Sequence, residues 1–293
     1  MDLLQALIHA LTDPISQPIM QRVMLAVILT GIVSGVVGAY VVTRGMAFLG
    51  DALAHTILPG VAIAYIASGG NTQAVLAGGI IAGVISAVLI SILGRISQLS
   101  EDTAIGIVFA GALALGIGII SSSRAFTTDF THLFMGNILG VSNEDLWLML
   151  AIGAVVLLGT IALYKEFLAV SFDPTLAEAL HMPTNALNIA LLVLMALTVV
   201  IALQAVGIAL VAGMIVIPSA TARYFVKRLH HLMIVGAVIG ALGGVLGIYV
   251  SWYLNVAPSA AIVLMLVILF ALAFLFSPRR GYLWQMLRRP LRN

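Results

Sequence analysis

Two ionisable residues stand four apart in the stretch GDALAHTILPG, residues 50–60: Asp51 and His55. On a helix, residues i and i+4 share a face about 5–6 Å apart at Cβ. A carboxylate oxygen and a neutral imidazole nitrogen at that spacing can reach one cation, and this donor pair suits manganese, zinc, copper or ferrous iron. The plainer reading stays open beside it, in which Asp51 caps a helix and His55 is its ion-pair partner. Two further clusters have the right chemistry. LSEDTAIG, residues 99–106, offers Glu101 and Asp102. Adjacent helical residues point about 100° apart, so one of the two is expected to face a pathway. Ser100 with Thr103 also reads as a helix start, whose positive end accounts for both acids without any ligand. TTDFTHLFMGN, residues 127–137, places Asp129 and His132 three apart on a short segment; these are weaker candidates.

The elements that hold these residues follow from composition. Of 293 residues, 62% are hydrophobic and 8% charged, against about 25% charged in an ordinary soluble domain. Ionisable groups inside a bilayer cost at least ~2.5–3.5 kcal/mol on insertion scales, so function is the first question to ask of them. The chain has no cysteine, which removes disulfides, thiolate metal sites and thiol redox chemistry. Its formal charge of +2 is small and its basic residues are scattered or sit at segment ends, which argues against a nucleic-acid partner. The expected class is therefore an all-α polytopic membrane protein.

A helix needs about 20 apolar residues to cross the hydrocarbon core. The chain offers about nine such stretches: 21–42, 52–68, 72–94, 103–121, 145–164, 186–204, 206–225, 232–254 and 257–276. The second contains Pro59, and the sixth and seventh are either two spans or one bent segment near Gln204 and Gly207, so the count is eight or nine. Residues 1–20 read as an amphipathic interfacial segment without the features of a cleaved leader. Residues 21–278 form the membrane domain, and 279–293 a basic tail. Placing the N-terminus outside puts Arg44, Arg95, Lys165, Lys227, Arg228 and the tail arginines in the cytoplasm, as the positive-inside rule requires. Pairs such as Gly31 with Gly35 and Gly236 with Gly240 let helix backbones approach closely in lipid, within one subunit or between two.

The longest inner connection, residues 165–185, breaks the apolar pattern. Asp173 is placed to cap, Pro174 suits a first helical turn, and 175–180 forms a short helix ended near Met182 and Pro183. This is either a docking handle on the cytoplasmic face or a long ordered loop. No G-x-x-x-x-G-K-[ST] run occurs in the sequence, so ATP, if it drives this chain, binds elsewhere.

The runs RGMAFLGDALAHTILPGVAIAY (44–65), LSEDTAIGIVFAGALALG (99–116), THLFMGNILGVSNEDL (131–146), SFDPTLAEALHMP (171–183) and AVGIALVAGMIVIPSATAR (205–223) together resemble the manganese/zinc/iron ABC permeases, in family order and over nearly the whole chain after the first twenty residues. The resemblance implies the helical membrane fold also seen in cobalamin and haem importers. It implies a second copy of the chain, two cytoplasmic ABC ATPase subunits and an extracytoplasmic metal-binding protein, in a bacterial inner membrane. It makes residues 171–183, with Asp173, Pro174, Glu178 and Leu180, the coupling helix. It places Asp51 and His55, then Glu101 and Asp102, on the path of a transported divalent metal, manganese first, with zinc or iron as alternatives. No permanently bound cofactor is expected, and the chain itself is not expected to be an enzyme. Two rivals remain: a proton-coupled secondary metal carrier that needs no ATPase, and an intramembrane metal hydrolase, which needs a third ligand and an open coordination position.

Overall fold

The computed structural model describes residues 13–14, 16–96, 100–122, 138–277 and 281–283. The described residues are predominantly helical, with no strand among them. The helices are α1 (Pro18–Arg44), α2 (Leu49–Thr56), α3 (Leu58–Ser68), α4 (Thr72–Ile96), α5 (Glu101–Ser122), α6 (Asn143–Ala162), α7 (Tyr164–Phe172), α8 (Pro174–Ala179), α9 (Thr184–Val206), α10 (Val211–Ala222), α11 (Leu229–Leu254) and α12 (Pro258–Phe276).

Eight segments are long and apolar enough to cross a bilayer, counting α2 and α3 as one, Leu49–Ser68. This segment starts earlier than the sequence pattern alone indicates, because Asp51 lies inside the helix. It breaks at Ile57, two residues before Pro59, whose ring nitrogen has no hydrogen to donate. The seventh expected span differs from the reading. It contracts to α10, 12 residues with Pro218 inside, about 18 Å long where about 30 Å is needed. Gly207 causes the contraction. Its φ of 76° with ψ of 167° ends α9 in a conformation open to glycine almost alone. The short 3-10 turn Ile208–Leu210 follows. Irregular backbone at membrane depth survives only where protein buries it, and Val206, Gly207, Ile208 and Val211 are all buried.

Helix α1 is the central post. It packs against α11 and α10, and also touches α6 and α9. Its backbone meets that of α11 along glycines: a Cβ on Gly31 would lie 2.5 Å from the Gly240 carbonyl carbon, and one on Gly35 would collide with Gly236. The glycine pairs thus close helices within a single chain. Ser219 of α10 seals the same seam by donating from Oγ to the Gly35 carbonyl at 2.9 Å. On the other side, α3 and α4 pack together and α5 leans on α2 and α3, while α9 bridges the two groups through α4 and α1. Helices α5, α6 and α12 turn most of their apolar surface outward, for example Ile107, Leu115, Leu158 and Leu264, as lipid-facing helices do.

Candidate functional site

Helix α2 starts where the chain is forced to turn. Gly45 ends α1 with φ of 75°, and the Met46 N–H reaches back to the Val41 carbonyl at 3.0 Å, an αL C-cap that only glycine adopts cheaply. Phe48 occupies the N-cap position of α2 without a side-chain capping bond. The capping reading of Asp51 therefore fails. Its carboxylate lies in the first turn and turns toward His55, with Asp51 Oδ1 3.9 Å from His55 Nε2. That gap is too wide for a hydrogen bond. Two ligands on one tetrahedral cation, at about 2.1 Å each, stand about 3.4 Å apart, so a small side-chain rotation brings the pair to ligating distance.

The imidazole is mostly buried, with 18% of its side chain exposed, while Asp51 keeps 37%. One face of His55 meets the ring of Phe109 edge-on at 5.6 Å, and Phe109 also meets Phe48 at 5.6 Å. This aromatic wall, supplied by α5, holds the imidazole beside Asp51. His55 Nδ1 is buried without a hydrogen-bond partner. Neutral imidazole carries one donor and one acceptor, and an unsatisfied buried nitrogen costs about 1–3 kcal/mol. The site is thus a half-open carboxylate and a fixed, under-satisfied imidazole on one helical face.

Glu101 and Asp102 lie elsewhere. Both are exposed in the first turn of α5. Ser100 caps that turn by accepting the Thr103 N–H at 3.2 Å, as the alternative reading of this stretch required. Phe109 marks the level of the Asp51–His55 pair and stands eight residues further along α5, about 12 Å by helical rise. Glu101 instead lies within electrostatic reach of Arg44, whose Nη2 donates to Asn188 Oδ1 at 2.5 Å. Among the described residues no three His, Asp or Glu side chains gather into a metal-holding group. Asp129 and His132 lie outside the described residues.

The loop between α6 and α9 folds as its sequence indicates. Asp173 caps α8: its Oδ1 accepts from the Leu176 N–H at 2.9 Å and from the Thr175 hydroxyl at 2.6 Å. The Thr175 hydroxyl, then the Leu176 N–H, hold the Asp173 carboxyl below its usual range. Pro174 fills the first helical position. The helix ends at His181, whose φ of 57° lets Met182 N–H return to the Ala177 carbonyl at 3.0 Å. Ala177 is buried against the bundle while Leu176 and Leu180, four apart, are 51% and 58% exposed. Leu176 was not among the residues singled out from sequence on this segment; its signal was the i, i+4 spacing with Leu180.

The described helices form a multi-pass bundle with a carboxylate–imidazole pair on α2 and a capped helix on a connecting loop, and the comparisons give its class. The family described as the ABC 3 transport family matches residues 16–277. The chain belongs to that family, as a membrane subunit of an ABC metal importer whose ATPase is a separate chain. It is 43% identical over 246 residues to the manganese transport system membrane protein MntC of Halalkalibacterium halodurans, covering 84% of this chain and 83% of that one. It is 36% identical to a protein of Haemophilus influenzae named "Probable iron transport system membrane protein", over 84% of this chain and 85% of that one. Its fold matches a chain of PsaBC from Streptococcus pneumoniae in complex with Fab, with a TM-score of 0.82 and 34% identity over 96% of this chain and 99% of that one.

Proposed function

We propose that this chain imports manganese, as a homodimer whose two copies enclose the translocation path, in a bacterial inner membrane with the N-terminus outside and the C-terminus in the cytoplasm, the short α10 and the turn before it making a ninth crossing beside the eight long spans. The observation that carries the reading is the Asp51–His55 pair, with Nε2 and Oδ1 3.9 Å apart and Nδ1 unpaired. One copy supplies two donors, too few to trap a divalent ion. Two copies related by a two-fold axis supply four, two oxygens and two nitrogens, a set that suits manganese and admits zinc or ferrous iron. Such a site holds the ion long enough to strip water and weakly enough to release it.

The ion, delivered by an extracytoplasmic metal-binding protein, meets His55 first and then the half-open Asp51 carboxylate, one helical turn nearer the cytoplasm. His55, fixed by Phe109, contributes its imidazole nitrogen to the same shell. Glu101 and Asp102, about 12 Å nearer the basic end of the bundle, attract the ion as it leaves. Helix α8 presents Leu176 and Leu180 to a groove on the ATPase, and ATP-driven movement of that helix switches access from one side to the other.

The test is metal uptake by cells carrying the chain with its ATPase and binding-protein partners. Wild type and His55→Ala are compared with manganese, zinc and iron. Selective loss of manganese uptake at unchanged expression is expected. Uptake that persists with an ATPase made hydrolysis-defective sinks the ATP-driven reading in favour of a proton-coupled carrier. Uptake unchanged in His55→Ala removes the pair from the path.

A further inference from the structure

At the end of the bundle that carries Arg44, a cavity of about 560 Å³ opens between the last turns of α1, α10 and α12, lined among others by Arg223, Tyr224, Phe270, Phe274 and Tyr282. Its walls are built. Tyr224 meets Phe270 and Phe274 edge-on at 5.7 and 6.1 Å, and Phe274 stacks on Tyr282 at 6.1 Å. Ser277 Oγ donates to the Tyr224 carbonyl at 2.9 Å, tying the end of α12 to the end of α10. Arg223 is exposed, and among the described residues no carboxylate pairs with it.

Charge explains why no partner comes from nearby in sequence. Glu178 is the last acidic residue of the chain, so residues 179–293 contain no Asp or Glu. The same stretch holds eight of the 13 Lys and Arg: Arg223, Lys227, Arg228, Arg279, Arg280, Arg288, Arg289 and Arg292. The tail that follows Tyr282 is itself basic and cannot neutralise Arg223. Among the described residues Arg223 has no carboxylate partner to displace, which leaves it open to an anion from outside the chain. At the headgroup level of a bilayer, beside aromatic rings that accept acyl chain, the available anion is a phospholipid.

We propose that this cavity is a binding site for an anionic phospholipid, with Arg223 holding the headgroup phosphate and Phe270 and Phe274 contacting the upper acyl chain. The arginine fork matches phosphate oxygens bidentately. The proposal does not depend on the transport reading. It requires only that the chain lies in a bilayer, and its test reads lipid rather than transport.

Native mass spectrometry of the full-length chain, released from nanodiscs of mixed phosphatidylglycerol and phosphatidylcholine, counts the retained lipid. Wild type is expected to retain phosphatidylglycerol in preference to phosphatidylcholine. Arg223→Gln should lower that occupancy about tenfold, as losing a charged phosphate contact does. Arg223→Lys should retain part of it. Arg95→Gln, an exposed arginine at the same end of the bundle, should leave it unchanged. Far-ultraviolet circular dichroism and monodisperse elution confirm that each variant is folded. Equal retention of both lipids, equal losses in Arg223→Gln and Arg95→Gln, or displacement by free glycerol phosphate overturns the proposal; the last would mark a phosphate site rather than a lipid site.

Discussion

Replacing His55 by phenylalanine separates a metal ligand from a packing residue. The imidazole contributes two things to the fold, an edge-on contact with Phe109 at 5.6 Å and a buried Nδ1 with no partner. The ring contact is worth about 0.5–1.5 kcal/mol, and phenylalanine keeps it. The unpaired nitrogen costs about 1–3 kcal/mol, and phenylalanine removes it. The larger ring adds some crowding, about 1 kcal/mol at the low end of the overpacking range. The Asp51 partnership lost, at 3.9 Å and partly hydrated, is worth about 1 kcal/mol at most. These terms nearly cancel, so His55→Phe should match wild type in thermal stability. Manganese uptake should nevertheless fall at least about tenfold, the scale seen when even an outer-shell partner of a metal ligand is removed. The assay pairs a melting curve of purified protein with radioactive manganese uptake normalised to membrane-inserted chain. Uptake at the wild-type level refutes the ligand assignment. A large fall in melting temperature, with uptake tracking the folded protein that remains, shows that the ring was structural.

Other predictions follow from the same geometry. Gly31→Ala forces α1 away from α11, because its Cβ would sit 2.5–2.6 Å from backbone atoms of Gly240 and Ala241; a loss of about 1–3 kcal/mol should appear as a lower melting temperature. Gly50→Ala, whose Cβ would stand 3.5 Å from Ala212 Cα, should be tolerated in the same assay. Leu176→Glu with Leu180→Glu should abolish co-purification with the ATPase and leave the melting curve of the permease alone unchanged. Asp173→Ala should weaken that association by fraying α8. Because the folded Asp173 carboxyl lies below its usual range, the contribution of the cap is fully present above the ordinary carboxylate value of about 3.9. It is lost only as pH falls through the lower folded value, so association should be flat across neutral and mildly acid pH.

Most of the architecture was legible because bilayer physics writes it plainly: long apolar runs ended by Gly45 or Gly69, or opened by Pro258, become helices wherever they occur. The cap at Asp173 and the turn start at Ser100 were readable for the same local reason, a short polar side chain beside an orphan N–H. What escaped was set by tertiary contact. Nothing in the run SEDTAIGIVF tells that Phe109, eight residues after Glu101, would wall His55 while the two acids faced away. The glycines of α1 announced a close approach, but their partner, α11, lies some two hundred residues later and only packing selects it. The Gly207 break was visible as a doubtful joint. Its depth was not, since φ and ψ at one residue decided where the helix of α10 begins.

That shortness bears on how the protein is made. The helical part of α10 is too short to cross the bilayer by itself, and the surfaces that bury it belong to α1 and α2, made before it, and to α11 and α12, made after it. The packing that covers α10 is therefore complete only once α11 and α12, which follow it in the chain, have been made.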